Sequence, residues 1–149
     1  MQIRLAVRDD VDDVGHLARL LAMFAEGEEP EGAAFAPDLL RWWAEHDSHL
    51  ALLAVLPSGN AVGMAWLALT ARVPRPGGGA RLCGDVQSVY VVPEHRSTGV
   101  GTALMQTLVQ HAEALGLEHV TVHSNVRASS LYERAGFTPS TELLMRTWR

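Results

Sequence analysis

Two short segments of this sequence carry residue types at spacings that could do chemistry. The first, Val89-Tyr90-Val91-Val92-Pro93-Glu94-His95-Arg96-Ser97-Thr98-Gly99-Val100-Gly101-Thr102, runs from an apolar extended stretch through a turn into an amphipathic helix. A turn feeding a helix N-terminus presents backbone N–H groups that have no partner inside the helix, and the helix dipole adds about half a positive charge there. A phosphate suits such a place. Gly99 and Gly101 would keep side chains out of the path of a pyrophosphate, and Arg96 adds a permanent positive charge. The same two glycines could equally just shape a strand-to-helix turn. The segment is not a dinucleotide fingerprint, because the third glycine is missing and the strand does not run directly into the first. The second segment, Asn125-x-x-Ala128-x-x-Leu131-Tyr132-x-x-x-Gly136-Phe137, follows a short alternating stretch from His119 to His123. A phenol with a pKa of about 10 is neutral at pH 7 and can supply a proton or a hydrogen bond. The seven His are spread without ligand spacing, so no metal site is expected.

The surrounding pattern predicts the elements that must position these residues. Ile3, Leu5 and Val7 alternate with polar neighbours, as in a half-buried strand. Asp9 or Asp10 can cap a helix over residues 10–25, with Val14, Leu17, Leu20, Leu21 and Phe24 on one stripe. Gly27, Pro30 and Gly32 break that pattern, and a second short helix is expected from after Pro37 to about His46. Leu50–Leu56 and Ala61–Arg72 read as a hairpin across Pro57-Ser58-Gly59-Asn60, and Leu82–Val92 as a third long strand stopped by Pro93. A helix over Gly99–Leu115, a strand at His119–His123, a short helix over Ala128–Ala135 and a final strand at Leu143–Trp148 complete the chain. The expected fold class is α/β (α+β), a mixed, mostly antiparallel central sheet flanked by about four helices, in a single domain over residues 1–149.

Together the motifs V-Y-V-V-P-E-H-R-S-T-G-V-G and N-x-x-A-x-x-L-Y-x-x-x-G-F closely resemble the GNAT superfamily of acetyl-CoA-dependent N-acetyltransferases. The likeness is close over residues 82–137, and the element order matches along the whole chain. It implies a sheet splayed between its central strands, with acetyl-CoA as acyl donor. It also implies that the turn Arg96, Ser97, Thr98, Gly99, Val100, Gly101 and Thr102 holds the pyrophosphate, although many members have Gly where Ser97 stands. By the same resemblance the backbone around Val89 and Val91 pairs with the pantetheine arm, Asn125 bonds the cofactor near the splayed strand ends, and Tyr132 protonates the leaving thiolate. Asp85 stands where many relatives have a Glu that takes the amine proton. Being one methylene shorter, it favours a water relay, and a plain surface carboxylate is the competing reading. His95, His119 and His123 are further groups that could titrate.

The first two helices and their connection would line the acceptor side, where Phe24, Glu26, Glu28, Glu29, Glu31, Phe35, Trp42 and Trp43 stand. Carboxylates beside aromatic rings suit a cationic amine, although acidic loops are more often solvated surface. Trp66 and Trp148 read as core or subunit contacts. The composition agrees. Seventeen acids oppose twelve bases, for a net charge of −5, and the sequence contains no Lys. That removes P-loop and Schiff-base chemistry. Residues 1–49 hold eleven acids and four Arg, a net −7, while residues 50–149 hold six acids and eight Arg, a net +2. No concentrated basic face points to nucleic acid, and no apolar stretch reaches the ~20 residues of a membrane span. Cys83 is alone, so a reducing cytoplasm is the default. The expected activity is acetyl transfer to a primary amine, on a small molecule or a peptide, by direct attack in a ternary complex. A non-catalytic acyl-CoA-binding sensor or partner module is the alternative. Dimers are common among relatives, so a homodimer is an open expectation.

Overall fold

The computed structural model describes residues 1–26, 30–124 and 128–148. Strands β1 (Gln2–Leu5), β2 (His49–Val55), β3 (Ala61–Arg72), β4 (Arg81–Val91) and β5 (Val120–Val122) form one sheet in the order β1-β2-β3-β4-β5. The first three pairings are antiparallel and β4–β5 is parallel. Helices α1 (Val11–Glu26), α2 (Pro30–Glu45), α3 (Val100–Ala114) and α4 (Ser129–Arg134) flank it, as the pattern predicts.

Side-chain pleating shows which helices cover which face. A Cβ on Gly63 would meet Leu104 and Val100 of α3 at 3.1 and 3.2 Å, so Gly63, Ala65 and Leu67 face α3. Met64, Trp66 and Ala68 therefore face α1 and α2, and the Trp66 ring lies 5.0 Å from that of Trp43 on α2. With both faces covered, Ala61–Ala68 is buried without a break. Arg4 on β1 gives Asp13 on α1 two hydrogen bonds, at 2.8 and 2.7 Å, and the Val7 N–H gives it a third at 2.8 Å. These bonds tie the first strand to the first helix around a carboxylate that is 3% exposed. Hydrogen bonding from Arg4 is the main reason its pKa lies below the usual carboxylate value.

The register of β3 against β4 carries one irregularity. Met64 faces Tyr90 but Trp66 faces Gln87, so β4 holds one extra residue there, and Ser88 takes a left-handed φ of 51°. The bulge lets Gln87 and Tyr90, three apart, share a face. Beyond it β4 loses its other neighbour, since pairing with β5 ends at Val86–Val122. This parting of β4 and β5 is the expected splay.

Two boundaries differ from the sequence pattern. Helix α2 begins at Pro30 rather than after Pro37 and runs through Pro37. Proline suits a first helical position, and the cost of an internal one, about 3 kcal/mol, is offset where Leu39 and Trp43 bury against the core. The final strand does not form. Residues 143–148 have no strand partner among the described residues, and Leu144 is almost fully exposed. Alternation alone cannot pair a strand. Trp148, 80% exposed with the Arg146 guanidinium 4.9 Å over its ring, is therefore not in the core.

Candidate active site

A 3-10 turn, Pro93–His95, carries the chain from β4 towards α3. The first hydrogen bond of α3 runs from the Ala103 N–H to the Gly99 carbonyl at 3.0 Å, which leaves the Val100, Gly101 and Thr102 amides at the open helix end. Two left-handed positions on either side of Thr98 aim that end, Ser97 at φ 61° and Gly99 at φ 89°. A glycine preference at position 97 thus has a backbone cause. Gly99 matters for its φ, because a Cβ there would meet nothing within 4 Å. Gly101 needs a correction: its bare face meets Leu131 of α4 at 3.5 Å and Val91 at 3.9 Å, so it admits α4 and β4 rather than clearing the helix end. Thr98 uses its hydroxyl to bond the His95 carbonyl and brace the turn. Arg96 folds back, donating from Nε to the Val91 carbonyl at 2.9 Å, with its guanidinium 5.4 Å over the Tyr90 ring.

Val89 and Val91, both half-buried, lie on the β4 segment that β5 does not pair. Tyr132 on α4 is 8% exposed, 5.8 Å from the Phe137 ring, and its hydroxyl makes no hydrogen bond among the described residues. Burial raises its pKa above 10.0, which keeps the phenol protonated. It borders a cavity of about 450 Å³ with Val120, Val122 and Ser124. Asp85 lies within β4 rather than at its start. Its carboxylate accepts from Thr121 Oγ1 at 2.8 Å and from Gln87 Nε2 at 3.2 Å. Asp85 opposes Ala68, so it shares the α1/α2 face with Gln87 and Trp66. Asn125 lies outside the described residues, as do Glu28 and Glu29 and the side chains of Glu26 and Glu31. No group of His, Cys, Asp and Glu among the described residues could hold a metal ion.

On the α1/α2 face a second cavity, of about 360 Å³, is lined by Leu21, Phe35, Asp38, Trp42, His49, Trp66, Gln87 and Ser88, among others. Trp42 and Phe35 are at the predicted acceptor side; Trp43 is core, and Phe24 stacks on Tyr90 at 5.6 Å. Sequence reasoning missed His49, Gln87 and Ser88, and read Trp66 as a core or subunit contact rather than as a cavity wall. The i, i+2 spacing of Gln87 from Asp85 was the available signal; the bulge that turns Ser88 into the cavity left none.

An acetyltransferase (GNAT) family profile matches residues 16–137. The chain belongs to the GNAT family. It is 35% identical over 133 residues to the mycothiol acetyltransferase of Arthrobacter sp. (strain FB24), covering 85% of this chain and 39% of that protein. It is 32% identical over 81 residues to the glucosamine 6-phosphate N-acetyltransferase of Trypanosoma brucei brucei, covering 54% and 53%. The chain therefore spans about half or less of these curated relatives. A Clostridium acetobutylicum acetyltransferase crystallised with acetyl-CoA shares the GNAT fold at a TM-score of 0.72 and 19% identity, over 98% of this chain and 95% of that one.

Proposed function

We propose that residues 1–149 form a single N-acetyltransferase domain that moves the acetyl group of acetyl-CoA to a primary amine by direct attack. The observation that carries this reading is the division of groups across the β4–β5 gap: Asp85 is on the α1/α2 face, while a protonated Tyr132, whose hydroxyl has no partner among the described residues, is on α4 beside α3. The transfer forms an N–C bond and breaks a C–S bond, so one proton must leave the amine and one must reach the sulfur. Groups on opposite sides of a gap suit those two tasks.

The residues present fit the donor. Two left-handed residues and a turn of open amides make a cradle for a pyrophosphate, in which Arg96, Ser97, Thr98, Gly99, Val100, Gly101 and Thr102 would take part. The unpaired β4 edge at Val89 and Val91 could hydrogen-bond an extended amide arm. Acetyl-CoA, when bound, supplies a thioester-activated acetyl group. Tyr132 holds the proton for the sulfur at its hydroxyl. Asp85 accepts the amine proton through water, oriented by Thr121 and Gln87. Asn125 is assigned a cofactor contact on the motif alone. The lone Cys83 fits a reducing cytoplasm, and a homodimer is the assembly to test by sedimentation.

Incubation with acetyl-CoA and a panel of amines, while free thiol is followed, tests the reading. The expected result is amine-dependent thiol release. Tight acetyl-CoA binding with no turnover on any amine would overturn it in favour of a sensor.

A further inference from the structure

The chain leaves β4 and reaches α3 by passing around the open edge of the strand, and one side chain doubles back along that path. Helix α3 packs on the face of the sheet that holds Gly63. Tyr90, paired with Met64, is on the α1/α2 face, with Phe24 of α1 stacked on its ring at 5.6 Å. The Arg96 backbone belongs to the turn that leads to α3, yet its guanidinium lies 5.4 Å over the Tyr90 ring. Arg96 therefore crosses from one face of β4 to the other.

Register shows what it crosses. The Val92 N–H donates to the Val62 carbonyl at 2.9 Å, so the peptide groups of Val92 point to β3. Neighbouring residues of an extended strand turn their peptide groups to opposite sides, and those of Val91 consequently point into the gap left by β5. The Arg96 Nε–H donates to the Val91 carbonyl at 2.9 Å. One acceptor on the gap edge is thus already taken, and the Val91 N–H is the group turned to an incoming chain. Arg96 is exposed, and a single hydrogen bond from a long, solvated side chain is weak, because water competes for both partners. The Tyr90 ring supplies a second anchor, a flat face for a planar guanidinium, and Phe24 restrains that ring.

We infer that Tyr90 is a positioning residue for the acyl donor: its ring holds Arg96 across the edge of β4 as a strap, which blocks the Val91 carbonyl and leaves the Val91 N–H to set the register of the pantetheine arm. The inference rests on the acetyl-CoA reading for the identity of the arm. The strap itself does not need it. Arg96 then acts on the arm by way of β4, and not only through its charge beside the α3 N-terminus.

CoA and pantetheine, which is the same arm without the pyrophosphate, separate these two roles. Binding is read by isothermal titration for CoA and by the Val91 amide shift in ¹⁵N-labelled protein for pantetheine. Tyr90→Leu should weaken both probes by the same factor, about two- to fivefold, as expected for an exposed cation–ring contact. Tyr90→Phe keeps the ring and should bind both within about 1.5-fold of the parent. Arg96→Lys keeps the charge but lacks the Nε–H and the planar head. It should also weaken pantetheine about two- to fivefold, and it carries the test should Tyr90→Leu fail to fold. In the ligand-free protein, the Arg96 Nε–H should exchange with water faster in Tyr90→Leu than in Tyr90→Phe. Weakening of CoA with pantetheine unchanged would make Arg96 a phosphate contact only and overturn the inference. So would equal Nε–H exchange in the two Tyr90 variants. A parent protein that binds neither probe would sink the acetyl-CoA reading and the arm's part in this inference, and the exchange comparison would then decide the strap by itself.

Discussion

Replacing Tyr132 by Phe removes one oxygen and leaves the ring against Phe137. That oxygen makes no hydrogen bond among the described residues, and the side chain is 8% exposed. The variant should therefore fold about as well as the parent, since no hydrogen bond among the described residues is lost and the hydroxyl is not among the buried polar atoms left without a partner. Catalysis should fall. A positioned general acid contributes about 10²- to 10⁴-fold, which at 1.36 kcal/mol per decade is about 2.7 to 5.5 kcal/mol of barrier. The open amides of α3 are untouched, so the acetyl-CoA dissociation constant should stay within twofold. Steady-state thiol release, titration of CoA and a melting curve on the same preparation separate the three quantities. Burial holds the phenol above its ordinary pKa, so the parent's rate should not fall on the basic side until the pH passes about 10. A fall in kcat of less than threefold with folding and CoA affinity intact would refute Tyr132 as the acid. So would a basic limb below pH 9 that disappears in the variant.

Four other substitutions probe the frame and the turn. Asp85→Asn should lower kcat about 10- to 100-fold without changing acetyl-CoA affinity, as seen by titration and rate on one sample. Gly99→Ala forces a Cβ onto a φ of 89°, costing about 1–2 kcal/mol in open space, so CoA binding should weaken about tenfold while the core holds. Gly84→Ala would put a Cβ 2.8 Å from Leu67 and 3.0 Å from Leu117, and urea unfolding should show a loss of about 1–3 kcal/mol. Asp13→Ala strands a partly exposed Arg4 and an amide, costing about 2 kcal/mol after allowance for solvent. Because the Asp13 pKa is lowered on folding, its contribution is complete above the unfolded value of 3.8 and is lost as the pH falls through the folded value. The stability of the parent should thus drop below pH 4, and that of Asp13→Ala should drop less.

The parts of this protein that were legible in its sequence are those whose causes are local. Strands β2, β3 and β4 and helix α3 follow from apolar periodicity. The turn into α3 follows from ten consecutive residues, because a helix end and its left-handed entry are built from neighbours in the chain. Boundaries set by tertiary contact were not legible. Pro37 reads as a helix breaker until Leu39 and Trp43 are seen buried beyond it, and Leu143–Trp148 alternates without a partner to pair with. The α1/α2-face cavity was the least visible, because it draws on α1, α2, β2, β3 and β4, and its register depends on one extra residue in β4. Without the bulge at Ser88, Gln87 and Tyr90 would lie on opposite faces, as residues three apart do in a regular strand. With it, β4 presents Asp85, Gln87 and Tyr90 together to α1 and α2, and leaves the other face to α3 and α4. The bulge and the parting from β5 follow within a few residues of each other, so the strand that changes its facing pattern also opens the sheet. An amine arriving over Asp85 and a thiol leaving towards Tyr132 would then meet at a gap that neither motif, taken alone, contains.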